Sequence, residues 1–129
     1  MSREESPTRG GAPEGRGSSV ATPEEVAQRQ LEAYNAHDLE AFVACYHPEV
    51  EVRDIHSGEL RLAGMTAFRE RYAAVLQKPG LRAEVLRRIA LGQVVIDEER
   101  VVGLREGVVE AVALYQVEGE LIRRVWFVR

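Results

Sequence analysis

The chain is poor in several residue patterns that would mark a function class. A single cysteine, Cys45, stands among 129 residues. It cannot close an internal disulfide, which fits a reducing compartment. Its three histidines, His37, His47 and His56, lack metal-ligand spacing, so no metal site is expected. No apolar run approaches the ~20 residues of a membrane span, and the N-terminus lacks the apolar stretch of a secretory signal. A cytoplasmic protein without a membrane partner is expected. Net charge is −4 with no basic stripe, which argues against nucleic acid, since phosphate binding needs clustered Lys and Arg. No internal repeat is evident, and no cofactor is expected.

What remains is the balance of one globular domain: 45% hydrophobic and 29% charged residues, enough to bury a single core. Residues 1–21, rich in Gly, Ser, Pro, Arg and Glu, offer almost nothing to bury and read as a disordered tail. Residues 22–129 read as the folded domain. Thr22-Pro23-Glu24-Glu25 has the form of a helix start, with Thr22 as N-cap and Glu25 closing a capping box. Val26, Ala27, Leu31, Ala33 and Tyr34 then recur at helical spacing. Asn35-Ala36-His37-Asp38 breaks this helix, and Asp38 can cap a shorter one carrying Leu39, Phe42, Val43 and Tyr46, which Pro48 stops. A strand follows over residues 50–54 or slightly beyond, then a possible short strand at Glu59–Ala63. A third helix is predicted from about Met65 to Gln77.

From Leu81 onward the period becomes two. Four strands rich in Val, Ile and Leu are separated by short Gly-containing connections, which imply antiparallel neighbours. The fold class is therefore α+β, with three helices in the N-terminal part packed on a strongly curved antiparallel sheet. A long curved sheet closed by three helices tends to leave a cavity, and an apolar cavity with a few polar groups suits a small hydrophobic molecule.

Three stretches carry a family resemblance. VAQRQLEAYNAHDLEAFVACYHPEVEVRD, MTAFRERYA and the closing YQVEGELIRRVWF resemble a nuclear transport factor 2-like domain, nearest the SnoaL-like polyketide cyclases and the ketosteroid isomerases. The resemblance covers about residues 22–129. It implies a cone with a pocket at its open end, and a homodimer. It also implies an isomerase, cyclase or dehydratase acting on a carbonyl compound, or a non-catalytic binding or dimerisation module of the same fold. The isomerase base aligns with Asp54, at the end of the first strand. Gln30 stands at the position of the isomerase tyrosine and Ala113 at that of its protonated aspartate, so both acidic oxyanion donors are missing. Losing one such donor typically costs about 10²–10³ in rate.

Asp54 is the candidate catalytic base from its own residues too. It shares strand parity with Val50 and Val52, so an acid lies on a face that should turn inward. The competing reading is an Asp that accepts backbone amides and fixes a turn. His56, of the same parity, either shuttles a proton or sits exposed in a loop. Arg87 interrupts the apolar row Leu81, Ala83, Val85, Ile89 and Leu91. It either binds an anionic group or is turned outward by a bulge. Gln30, Tyr34, Phe42, Tyr46, Phe68, Tyr72, Tyr115 and Trp126 are candidate lining or ordinary core. Gln30, Tyr34, Arg87 and Trp126 are taken as the ligand-binding set. Asp97-Glu98-Glu99-Arg100 reads as a solvated strand stretch; the alternative is a paired-carboxylate acid/base site, for which only Asp97 and Glu99 share a face.

Overall fold

The computed structural model describes residues 20–129; the rest of the expected tail lies outside the described residues. Ala21 is already buried, and its N–H donates to Glu120 Oε1 at 2.9 Å. Helix α1, Pro23–Asn35, opens on the expected capping box: Glu25 N–H donates to Thr22 Oγ1 and Thr22 N–H to Glu25 Oε1. His37, with φ 58°, turns the chain, and Asp38 caps the short α2, Leu39–Val43. Strand β1, Tyr46–Asp54, starts earlier than its alternation suggests. Tyr46 is thus a strand residue, and Pro48 lies inside the strand. The pairing of β1 with its neighbour shifts between Tyr46 and Glu51, which accommodates a residue with no N–H to give. The chain continues through β2, Leu60–Ala63, and α3, Met65–Val75. It then forms a four-stranded meander: β3, Arg82–Leu91; β4, Val94–Val102; β5, Val109–Glu118; β6, Leu121–Val128.

The six strands form one sheet in the order β2-β1-β6-β5-β4-β3. The meander pairs antiparallel, as the short connections require. The pair β1–β6 is parallel, so the sheet is mixed rather than purely antiparallel. The helices pack over one face of this curved sheet, with the third inserted between β2 and β3. Phe42 and Phe68 are almost fully buried and stack with centroids 5.8 Å apart. Tyr46 and Tyr72 pack around them at 4.4–5.0 Å, spacings at which aromatic pairs attract beyond simple burial. No helix among the described residues is long and apolar enough to cross a membrane.

Three local devices shape the site. First, β3 carries a bulge between Val85 and Arg87. The extra residue, Leu86, makes two neighbours on β3 face one on β4, so simple alternation is lost by one position. Second, Asn35 closes the exposed edge of β3: its Oδ1 accepts from Ala83 N–H at 2.7 Å and its Nδ2 donates to Ala83 O at 2.9 Å. Third, the turn after β4 lies backbone to backbone on the turn after α3. A Cβ on Gly103 would come within 2.5 Å of Gly80 carbonyl atoms, and its φ of +81° suits glycine in any case.

Candidate functional site

Between the helices and the concave face of the sheet lies a cavity of about 220 Å³. Helix α1 supplies Gln30, Leu31 and Tyr34, α2 supplies Phe42, and α3 supplies Arg71, Tyr72 and Val75. The strands add Tyr46, Glu99, Tyr115 and Phe127, and the turn after β4 adds Leu104 and Arg105. Six of the seventeen lining residues are aromatic: Tyr34, Phe42, Tyr46, Tyr72, Tyr115 and Phe127.

Its polar interior is an ordered chain of hydrogen bonds. Gln30 is 4% exposed, and its Nε2 lies 3.0 Å from Ala27 O and 3.2 Å from the Tyr115 hydroxyl. A carbonyl can only accept, so the atom facing Ala27 must be the amide nitrogen, and this fixes the amide's orientation. Gln30 Oε1 then accepts from the Tyr46 hydroxyl at 2.9 Å. Because Tyr115 oxygen already receives an N–H from Gln30, its own proton is free to turn toward Glu99, whose charged form it favours. Donation therefore runs one way, Tyr46 to Gln30 to Tyr115, on the wall that also carries Glu99.

Glu99 is 8% exposed and makes no ion pair with a described residue. Burial, followed by the neighbouring Asp97 charge, pushes its carboxyl up to about 7; Arg129, Tyr115 and Arg88 only partly oppose this. Asp97, two positions away and fully buried, is instead clamped by Arg88, with Arg88 Nε 2.7 Å and Nη2 3.0 Å from its two oxygens. Burial also drives the hydroxyls of Tyr34, Tyr46, Tyr72 and Tyr115 upward, so all four stay protonated donors. Those of Tyr34 and Tyr72 have no hydrogen-bond partner among the described residues.

The residues singled out from sequence are distributed differently. Asp54 lines not this cavity but an adjoining groove of about 530 Å³. Four residues, Arg71, Tyr72, Phe127 and Arg129, border both recesses. Its carboxylate accepts from Ser57 N–H at 2.9 Å and Ser57 Oγ at 3.3 Å, and from Arg61 at 3.4 Å. The Ser57 amide above all holds it below the usual carboxylate range. Such a group is a poor base near neutral pH, and its geometry is that of a turn-fixing Asp. His56 is exposed in that turn and is not among the residues that line the cavity. Arg87 is turned outward by the Leu86 bulge and pairs with Glu98 at 2.6 Å. Arg88 takes the inward position that simple alternation had given to Arg87. Trp126 faces the outer side of the sheet, under the Arg53 guanidinium at 5.8 Å. Gln30 and Tyr34 do line the cavity, although Gln30 spends both amide hydrogens and its Oε1 on the protein itself.

The stretch Asp97–Arg100 is the main correction: Asp97 and Glu99 are inside, not solvated. The signal was present in the sequence, since Val95 and Val101 bracket them at the same parity and are buried. Among the described residues no group of three or more His, Cys, Asp or Glu could hold a metal ion.

The profile of the SnoaL-like domain family matches residues 27–125, and no curated protein matches the chain. Solved structures share the fold. An uncharacterised protein of Novosphingobium aromaticivorans, described as a cystatin fold, is 25% identical over 84% of this chain and 99% of its own, with a TM-score of 0.76. A putative polyketide cyclase of Sinorhizobium meliloti is 19% identical, covering 80% of this chain and 93% of its own, at 0.69. A putative ketosteroid isomerase of Kribbella flavida, also 19% identical, covers 81% and 75%, again at 0.69.

Proposed function

This chain belongs to the SnoaL-like domain family, and from that premise we propose that its cavity binds a small carbonyl compound with which Glu99 exchanges a proton. One observation carries the reading: a buried carboxylate, unpaired among the described residues and poised at about 7, on the wall of an aromatic cavity. A base whose pKa lies near working pH is ionised often enough to act and is still basic enough to take a proton. In the step proposed, Glu99 removes a proton from the carbon next to the carbonyl. The C–H electron pair moves into the new C=C bond, and the former C=O pair rests on oxygen as an enolate. The hydroxyls of Tyr34 and Tyr72 are the donors available to that oxygen. Return of the proton to another carbon is isomerisation; attack of the enolate on a second carbonyl is aldol-type cyclisation. The names polyketide cyclase and ketosteroid isomerase attached to two solved relatives are compatible with either.

The volume bears on substrate size. About 220 Å³ equals roughly seven waters at liquid density, which suits one or two fused rings better than the four of a steroid. The test uses 2-tetralone, a neutral ring ketone, in D₂O with NMR. Native protein should speed deuterium uptake at the α-carbons, Glu99→Gln should return it to background, and Asp54→Asn should keep most of it. Unchanged exchange in Glu99→Gln sinks the reading. A second reading, a binding module without turnover, is favoured by the full occupation of Gln30, which leaves no donor at the isomerase tyrosine position. It predicts retention of 2-tetralone with no exchange above background.

We propose also that two copies pair through the outer face of the sheet. Ile89, Ile96, Leu114 and Trp126 lie side by side across β3, β4, β5 and β6, and Ile89 is 66% exposed. Ion pairs flank this strip, Arg87–Glu98 on one side and Arg53–Glu51–Arg124 on the other. A face carrying both signs around an apolar strip can be complementary to itself under a two-fold axis.

A further inference from the structure

Most described arginines are neutralised in place. Arg53, Arg61, Arg69, Arg87, Arg88 and Arg124 each sit against a carboxylate at 2.6–3.4 Å. Arg71, Arg105 and Arg129 form no ion pair with a described residue, and all three border the same cavity. They come from three separate parts of the chain: the exposed side of α3, the turn after β4, and the residue following β6. The Arg129 guanidinium lies over the Phe127 ring at 4.9 Å, which holds it at the rim shared with the adjoining groove. The lining contains one carboxyl, Glu99. The side chains of the wall thus carry three positive charges against at most one negative charge. Arg29 and Arg82 also form no ion pair with a described residue, but neither borders this cavity.

We propose that the ligand is itself an anion: a small ring compound bearing a carboxylate, its ring among the tyrosines and its carboxylate against Arg71, Arg105 and Arg129 at the mouth. This deepens the acid–base reading above by naming the substrate class, and it rests on the same cavity. The planar guanidinium fork matches a carboxylate in two parallel hydrogen bonds, a geometry that also fixes orientation. Anchoring the charged end at the mouth would place the rest of a one- or two-ring molecule along the aromatic wall, toward Glu99. An anchor of this kind would supply the binding energy that holds a reacting carbon beside a base.

The experiment compares acid and neutral partners of one shape: benzoate with benzamide, salicylate with salicylamide, phenylpyruvate with its methyl ester. Binding to the full chain is followed by NMR shifts and calorimetry. Carboxylates should bind at least about tenfold more tightly than their neutral partners, in keeping with the worth of charge-assisted hydrogen bonds. Arg129→Gln and Arg71→Gln should each erase most of that preference and leave the neutral partners unaffected; circular dichroism confirms that the variants fold. Equal affinity within every pair, no binding by any member, or a preference that survives both arginine variants overturns the proposal. Glu99→Gln separates the two ideas. If it abolishes deuterium exchange yet keeps the carboxylate preference, both stand; if exchange persists while the preference holds, only the acid–base reading fails.

Discussion

Asp97 and Glu99 occupy successive inward positions on β4 and are treated in opposite ways, one clamped by Arg88 and the other without an ion pair among the described residues. That contrast yields two predictions. Glu99 titrates at about 7 in the folded chain against an ordinary value of 4.5. Between those values the folded state holds a proton that the unfolded state has released, so stability falls as pH rises from about 4.5 to about 7. The full cost above that window is on the order of 3 kcal/mol. Glu99→Gln should therefore raise the unfolding free energy measured in urea at pH 8, by an amount on the order of 1–3 kcal/mol, and change little at pH 4. Exchange activity in the native chain should rise through about pH 7 as the carboxylate ionises, because the ionised form is the base. A pH-independent rate between 5.5 and 8.5 would contradict that role. The residue scale is also where sequence reading reached least far. Strand parity put Asp54 on one face with Val50 and Val52, and the register sets it beside β6 Phe127, a cavity residue, but parity could not reveal that Ser57 and Arg61 would close around its carboxylate. Parity equally put Asp97 and Glu99 between Val95 and Val101, and their charge argued misleadingly for solvent.

At the scale of elements, caps and periods were legible. Thr22, Glu25 and Asp38 do what their side-chain chemistry suits them for, and the three helices fall within a few residues of their spacing. The bulge at Leu86-Arg87-Arg88 was one of two readings left open, because alternation alone cannot say whether an extra residue is present. Its effect is large, since it decides which arginine enters the interior. The contact of Asn35 with Ala83 was also hidden, being a pairing across 48 positions. Replacing Asn35 with Ala leaves an N–H and a C=O of β3 without their partners, in a half-buried position, and should cost about 1–3 kcal/mol. Urea denaturation measures the loss, and faster hydrogen exchange at the Ala83 amide would locate it. Gly103→Ala should be at least as damaging, because the added methyl meets backbone rather than a movable side chain. A thermal midpoint within 1 °C of native would show that the two turns separate freely.

For the molecule as a whole, the order of helices and strands with a family resemblance was enough for the α+β class and the SnoaL-like domain. The parallel β1–β6 pair was not, since alternation says nothing about which strands meet. The outer strip of Ile89, Ile96, Leu114 and Trp126 bears on assembly. Light scattering at micromolar concentration should give twice the chain mass, and Leu114→Arg, which sets a charge in the middle of that strip, should give one chain mass with the fold intact. A native monomer removes the pairing proposal.

The sheet order has a last consequence, for how this protein is made. β1 finds one of its two neighbours in β6, and Ile55 N–H reaches Phe127 O at 2.8 Å across most of the polypeptide. A ribosome releases the early strand long before its mate exists. The sheet cannot be completed during synthesis, and the early helices with β1 and β2 must wait as an open half with exposed apolar surface. Contacts of such long sequence separation make for slow folding, and the waiting half is the segment most in need of a chaperone.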